Sequence, residues 1–281
     1  MLSELPLWLA LRLTECLFGW SLGIQTLEYL CMKQATGPQG LWSWSVQRRD
    51  IPQDWARRVL DILFAPDVHQ MHLLLRLQAA LVLIFSGGSF ALLLFLFLGN
   101  LLILIRWRGA FNGGSDFLTL VVLTGLLIVY TVGTWINADI GVKAGLCYIC
   151  IQSITSYFIS GWVKVLRPEW RSGQAMTIFL NGSIYGPLPD HHLLRRPCLA
   201  FLGSWAFILW ECAFPFALVN PAHALGFCMI AACFHFLVFW FFGLNRFFWV
   251  WMCSFPAIIW CAGQRFGPDI GGGFCAFTFC G

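Results

Sequence analysis

Lys164 is the residue with the clearest capacity for chemistry, because it ends an apolar, aromatic run that begins at Tyr157. The step Pro168-Glu-Trp170 follows it directly. A lysine where a hydrophobic helix meets water can snorkel, with its stem over apolar surface and its ammonium in water. A buried lysine instead loses its proton more readily and can act as a base. Snorkelling is the more common use, and both interpretations stay open at this point.

Four further ionisable residues stand inside apolar runs. His235 lies in the sequence Cys-Phe-His-Phe-Leu and is a candidate proton relay or hydrogen-bond partner for a quinone, with a purely structural histidine as the alternative. Glu211 is isolated in Leu-Trp-Glu-Cys, and Arg12, Lys164 or His235 is its expected partner. Arg12 and Glu15 share one helix face, which predicts an ion pair with a structural or functional role.

Two other spacings match known chemical patterns. Cys147 and Cys150 have the Cys-x-x-Cys spacing of redox pairs, although the chain has 12 cysteines, most of them within apolar runs where cysteine serves as a small hydrophobe. His69 and His72, three residues apart and close to Asp67, could bind a metal ion. An apolar filler and an interfacial polar cluster are the favoured interpretations, and no metal site is predicted.

The composition is that of a membrane protein. Of 281 residues, 59% are hydrophobic and only 11% are charged, against about 25% in ordinary soluble domains. The net charge of +4 is spread along the chain and forms no basic stripe, so we expect no nucleic-acid partner. The expected surroundings are a lipid bilayer.

Apolar runs of about 20 residues predict an all-α, polytopic transmembrane bundle with seven spans, or six as the alternative. The run from Leu77 to Ile105 carries no charge and exceeds one perpendicular span, so Gly87-Gly88 is expected to kink it or the helix to tilt. The predicted spans are residues 5–30, 77–105, 117–138, 144–163, 198–218, 222–242 and 247–262.

The bundle is expected to occupy residues 1–262, followed by a Gly-rich tail at 263–281. Two polar segments interrupt it, at 32–71 and 164–197. Within the first, residues 52–64 mix charges with apolar side chains, which predicts an amphipathic helix on the membrane surface or one packed on the bundle.

Seven spans would put these two polar segments on opposite sides of the membrane. The first segment carries Lys33 and four arginines, and the second shares its predicted side with Arg106 and Arg108. Because similar numbers of basic residues then face each side, the positive-inside rule leaves the orientation open.

The segment Tyr157-Phe-Ile-Ser-Gly161, with the residues that follow it, resembles the membrane region of vitamin K-dependent gamma-carboxylase. It is more similar still to bacterial proteins with the horizontally transferred transmembrane (HTTM) domain, a resemblance that implies a location in the bacterial inner membrane. The resemblance extends loosely over residues 5–262. The residues that carry it are Tyr157–Gly161, Lys164, Trp170, Gly173, Ala175-Met176, Asn112–Asp116, Phe234-His-Phe236 and Asn245–Trp249.

This resemblance implies that Lys164 corresponds to the lysine that acts as a base on vitamin K hydroquinone. The family pattern has two adjacent lysines, whereas here Val163 and Val165 flank a single one, and the spacing from Gly161 to Trp170 is one residue longer. The carboxylase also has a large extramembrane domain after its bundle. We therefore expect a bundle that holds a quinone or lipid rather than carboxylation of protein glutamates.

The sequence thus leads to three hypotheses. The first is a membrane-embedded enzyme or binding protein for a quinone or lipid, with Lys164 and His235 as candidate catalytic residues and Glu211 and Arg12 as candidate cofactor-binding residues. The second is a non-catalytic structural or assembly subunit of a membrane complex. A small transporter ranks third, because the spans carry few charges and no paired half-helices.

Overall fold

The computed structural model describes residues 5–37, 39–40, 42–107, 113–187, 189, 192–193 and 196–264. Of the predicted tail at 263–281, residues 265–281 lie outside the described residues, as do Arg108 and Asn112. All regular elements in the described part are helices: α1 (Leu7–Cys31), α2 (Asp54–Leu63), α3 (Pro66–Ser86), α4 (Phe90–Arg106), α5 (Gly113–Trp135), α6 (Ala138–Leu166), α7 (Gln174–Asn181), α8 (Pro197–Ala213), α9 (Pro221–Phe242), α10 (Asn245–Met252) and α11 (Phe255–Gly263). Short turns of helix lie at Lys33–Thr36, Trp44–Gln47, Arg48–Asp50, Pro168–Arg171 and Phe214–Val219.

Seven helical stretches of the described chain are long and apolar enough to cross a membrane. They are Leu7–Cys31, Pro66–Ser86, Gly113–Trp135, Ala138–Leu166, Pro197–Val219, Pro221–Phe242 and Asn245–Gly263. The expected all-α bundle of about seven spans is confirmed, and its architecture is that of a multi-pass membrane protein. Helix α6 starts earlier than predicted because the Asn137 side chain caps it, accepting a hydrogen bond of 2.9 Å from the backbone of Asp139.

The prediction of one span from Leu77 to Ile105 is wrong. The chain reverses at Gly87, whose φ of +88° favours glycine, and α3 and α4 lie antiparallel. Arg76 of α3 donates a hydrogen bond of 3.2 Å to Asn100 of α4. Helix α3 begins at Pro66, so it includes residues 66–71 of the predicted polar segment.

The predicted separation of the two polar segments is wrong for the same reason. Because α4 runs back beside α3, Arg106 returns to the end of the bundle where α1 finishes, and Trp107 stacks on Tyr29 with ring centroids 4.7 Å apart. Asn245 contacts Glu28 at this same end. Most lysines and arginines of the described chain share this basic end: Lys33, Arg48, Arg49, Arg57, Arg58, Arg106, Lys164, Arg167, Arg171, Arg196 and Arg246.

Glycines allow the helix that carries Lys164 to approach its neighbours closely. A Cβ atom on Gly145 of α6 would lie 2.4 Å from the carbonyl oxygen of Gly125 in α5. A Cβ atom on Gly161 would lie 2.7 Å from the backbone nitrogen of Cys212 in α8. Small residues allow such close approach of helices in membranes, where van der Waals packing replaces the hydrophobic effect as the attraction between helices. The two contacts fix α6 between α5 and α8.

Helix α2 is amphipathic and packs on the bundle, which is one of its two expected placements, while its position on a membrane surface stays a prediction. Leu60 is buried against the bundle, while Trp55 and Ile62 expose about 70% of their surface on the outer face (71% and 68%). On the polar side, Arg48 and the indole of Trp44 donate hydrogen bonds of 2.7–2.9 Å to Asp61, which holds the pKa of that carboxyl below its usual value. Helix α2 therefore rests on the bundle and keeps apolar side chains exposed on its outer face.

Candidate functional site

Lys164 is paired with Glu211, one of the partners expected from the sequence. Its Nζ lies 2.5 Å from Oε2 of Glu211 and donates a hydrogen bond of 2.7 Å to Ser160, whose hydroxyl donates in turn to Oε1 of Glu211 at 3.1 Å. The lysine side chain is 16% exposed and that of the glutamate 5%. Because α6 and α8 touch at Gly161, one turn before Lys164, the two charges are held within direct contact.

The turn that follows α6 covers the lysine. The Trp170 ring lies 5.2 Å from Lys164 Nζ, within the range of a cation–π contact. The carbonyl oxygen of Trp170 accepts a hydrogen bond from Ser204 of α8, which secures the turn. A snorkelling lysine would extend its ammonium into water, whereas this one ends against a carboxylate and an indole.

His235 forms a second polar pair with Tyr157. The hydroxyl of Tyr157 and Nε2 of His235 are 2.6 Å apart and joined by a hydrogen bond. Trp251 stacks on the imidazole with ring centroids 5.0 Å apart, and Phe214 stacks on the tyrosine at 3.8 Å. The Nδ1 atom of His235 is buried and has no hydrogen-bond partner among the residues that the structure describes. An orphaned buried imidazole nitrogen can bond to a ligand or a water molecule.

Both pairs line one cavity of about 600 Å³ between α6, α7, α8, α9 and α10. The rest of its wall is mainly aromatic and aliphatic, and includes Met176, Phe179, Phe207, Phe234, Phe241 and Trp251. Ligand pockets are usually apolar cavities of about 300–1,000 Å³ with a few convergent polar groups. This cavity offers an ammonium, a carboxylate, a phenol and an imidazole to a ligand that is otherwise apolar.

Arg12, the fourth predicted site residue, lies in a different cluster. It bonds to Glu15 at 2.7 Å and donates to the carbonyl oxygens of Leu83 and Ile84 at the end of α3. Glu15 accepts hydrogen bonds from the backbone of Gly88 and from Tyr130. The pair therefore satisfies the polar backbone of the turn between α3 and α4, and the structure does not bring it to the cavity.

The other sequence patterns also lie apart from the cavity. Cys147 and Cys150 are free thiols, and Cys147 Sγ lies 4.0 Å from Cys261 Sγ. The rings of His69 and His72 are 6.3 Å apart. Within the described ranges, no group of three or more histidines, cysteines or acidic residues is placed to hold a metal ion.

Tyr157 and Ser160 line the site but were not predicted as site residues from the sequence. Tyr157, Ser160 and Lys164 are spaced by three and four residues, which places them on one face of α6. That spacing was the available signal, and it identifies one polar stripe on an otherwise apolar helix.

No protein family model, no curated protein and no solved structure matches this chain. The class of the protein therefore follows from its own fold and cavity: a multi-pass, all-α membrane protein with a buried polar stripe along an apolar cavity.

Proposed function

We propose that this protein is an HTTM-like membrane protein that binds a quinone or a lipid in the cavity beside Lys164. The observation that carries the proposal is the convergence of two buried polar pairs, Lys164–Glu211 and Tyr157–His235, on one apolar cavity. The segment from Tyr157 to Met176 that resembles the HTTM family also supplies several residues of that wall. We place the protein in the bacterial inner membrane.

A quinone suits the distribution of polar groups. Its carbonyl oxygens accept hydrogen bonds, its ring is flat and its tail is apolar. The aromatic walls can stack on the ring, while an ammonium and an imidazole supply donors near the oxygens. A lipid with a hydrogen-bonding headgroup would use the same donors and lay its chain along Phe179 and Phe241.

The ion pair refines the role of Lys164. Since its Nζ already contacts a carboxylate, Lys164 is better placed to donate a hydrogen bond to a ligand oxygen than to accept a proton. The Nδ1 atom of His235 has no described partner, and its role depends on the tautomer. It donates to a ligand oxygen when Nε2 accepts from Tyr157, and it is the candidate proton acceptor when Nε2 donates to Tyr157. Glu211 then acts as a positioning residue that holds the lysine against the cavity wall.

Co-purification tests the proposal. The protein is purified in a mild detergent, extracted with organic solvent, and assayed for quinones and lipids by mass spectrometry. We expect one bound species near stoichiometric amounts, reduced in Lys164→Met and His235→Leu. The matched controls are Lys143→Met on α6 and His223→Leu on α9, both at exposed positions of the same helices.

The control variants should retain the ligand. Equal ligand content in all variants, or no quinone or lipid in the wild-type protein, would contradict the proposal. A stable complex with another membrane protein and no bound ligand would favour a structural or assembly subunit.

A further inference from the structure

A second cavity of about 620 Å³ lies at the basic end of the bundle, apart from the site beside Lys164. Its wall comes from the end of α1, the start of α3, the end of α4 and the segment before α2. Its lining includes Lys33, Asp61, Phe64, His69 and Arg106. It shares no lining residue with the first cavity.

Positive charge dominates this second cavity. Arg106 is 2% exposed and donates its hydrogen bonds to neutral oxygens, namely the carbonyls of Thr36 and Trp42 and the side chain of Gln47. Considering only residues described in the structure, neither Arg106 nor Lys33 has a carboxylate within ion-pair distance. Asp61 also lines the cavity, but Arg48 neutralises it at 2.7 Å.

His69 supplies an unsatisfied polar group in the same wall. The residue is 8% exposed, and both ring nitrogens are buried without a hydrogen-bond partner in the described part of the chain. Buried polar atoms are normally bonded, so an orphaned imidazole in a cationic cavity indicates a missing acceptor or donor. His69 also lies in the first turn of α3, where the positive end of the helix dipole favours an anion.

Helix α2 indicates the depth at which this cavity would lie in a membrane. Helix α2 leads directly into α3 and exposes Trp55 and Ile62 on its outer face. An apolar stripe of this kind lies at the boundary between headgroups and acyl chains. Asp61 and Phe64 line the cavity beside this helix, so an interfacial position of α2 would put the polar groups of the cavity at the depth of lipid phosphates.

We propose that the cavity formed by Lys33, His69 and Arg106 binds the phosphate headgroup of an anionic phospholipid. Basic pockets between membrane helices on the cytoplasmic side recognise such headgroups. The ammonium and guanidinium supply the charge, and the imidazole bonds to a phosphate oxygen. This site is independent of the proposed quinone or lipid cavity and would hold a lipid even if that cavity were empty.

Native mass spectrometry of delipidated protein tests the inference. Phosphatidylglycerol and phosphatidylcholine with the same acyl chains are titrated in parallel, and inorganic phosphate is the third probe. We expect phosphatidylglycerol to bind more tightly than phosphatidylcholine. Lys33→Gln should weaken phosphatidylglycerol binding about fivefold, the effect of one basic residue at a membrane surface.

His69→Phe tests the imidazole and should weaken phosphatidylglycerol binding to a similar degree. Lys33 is exposed, so its substitution leaves the fold intact, and thermal unfolding checks the fold of the His69 variant. Lys143→Gln, near the opposite end of the bundle, should bind as the wild type does. Equal binding of the two lipids, or unchanged affinity in both variants, would overturn the inference. Tight binding of inorganic phosphate with no preference between the lipids would overturn the lipid assignment.

Discussion

Lys164 Nζ lies 2.5 Å from Glu211 Oε2, joining α6 and α8 across 47 residues of sequence. Removing one partner of a buried ion pair leaves an uncompensated charge, which costs about 3 kcal/mol or more. We expect Lys164→Met and Glu211→Gln each to lower the free energy of unfolding by about this amount. Titration with sodium dodecyl sulfate, followed by circular dichroism, measures the change.

The double variant Lys164→Met/Glu211→Gln should recover part of the loss, because neither charge is then left alone. Lys143→Met is the control and should unfold as the wild type does. If the double variant lost the sum of both single effects, the two residues would not be coupled.

The second prediction concerns the hydrogen bond between Tyr157 and His235. Tyr157→Phe keeps the ring that stacks on Phe214 and removes only the hydroxyl, so it leaves His235 without its partner. We expect a loss of about 1–3 kcal/mol, the cost of a buried unsatisfied polar group. Thermal unfolding in detergent measures it. Tyr148→Phe on the same helix is the control, because the Tyr148 hydroxyl makes no hydrogen bond to any residue in the described ranges. Equal effects of the two substitutions on stability would argue against the Tyr157–His235 hydrogen bond.

The turn between α3 and α4 depends on glycine at position 88. A Cβ atom there would lie 2.5 Å from the Tyr130 ring and 2.8 Å from Glu15 Oε1. Gly88→Ala should therefore displace the Arg12 cluster and lower stability by about 1–3 kcal/mol. Gly226→Ala is the matched control because nothing lies within 4 Å of its Cβ position. It should raise the midpoint of thermal unfolding or leave it unchanged, and a Gly88→Ala protein as stable as this control would contradict the geometry of the turn.

The concentration of basic residues at one end predicts the orientation in the membrane. By the positive-inside rule, this end faces the cytoplasm. Arg49 and Arg58 are exposed there, so trypsin should cut the segment 42–65 in inverted membrane vesicles. Right-side-out vesicles should protect it until they are permeabilised. Cleavage in right-side-out vesicles and protection in inverted vesicles would show that the basic end faces the other side of the membrane.

The sequence predicted about seven spans because each is a run of about 20 apolar residues, a property visible in hydropathy alone. It did not predict α4, a shorter apolar helix that runs back beside α3. It also selected Lys164, Glu211 and His235, since an ionisable residue inside an apolar run stands out. It could not choose among the possible partners of Glu211, because that choice depends on which helices touch.

The boundaries of α3 could not be predicted from the sequence for a related reason. Arg76 and His69 face the interior of the bundle, and Arg76 is fully buried against Thr26, Gln25 and Asn100. Polar residues that face a bundle interior lower the local hydropathy as much as a surface loop does. The polar segment predicted at 32–71 therefore includes residues 66–71 of this helix, and the long span predicted at 77–105 joins the rest of α3 to α4.

The binding of a short-chain benzoquinone and of a short-chain phospholipid to the cavity beside Lys164 tests the central proposal most directly. Affinity is measured in detergent by quenching of intrinsic tryptophan fluorescence for the quinone, and by calorimetry for the lipid. At least one probe should bind saturably, and Lys164→Met should weaken it about tenfold, the value of a lost hydrogen bond to a charged group. Lys143→Met should bind as the wild type does. Equal affinity in wild type and both variants, or no saturable binding of either probe, would contradict the proposal.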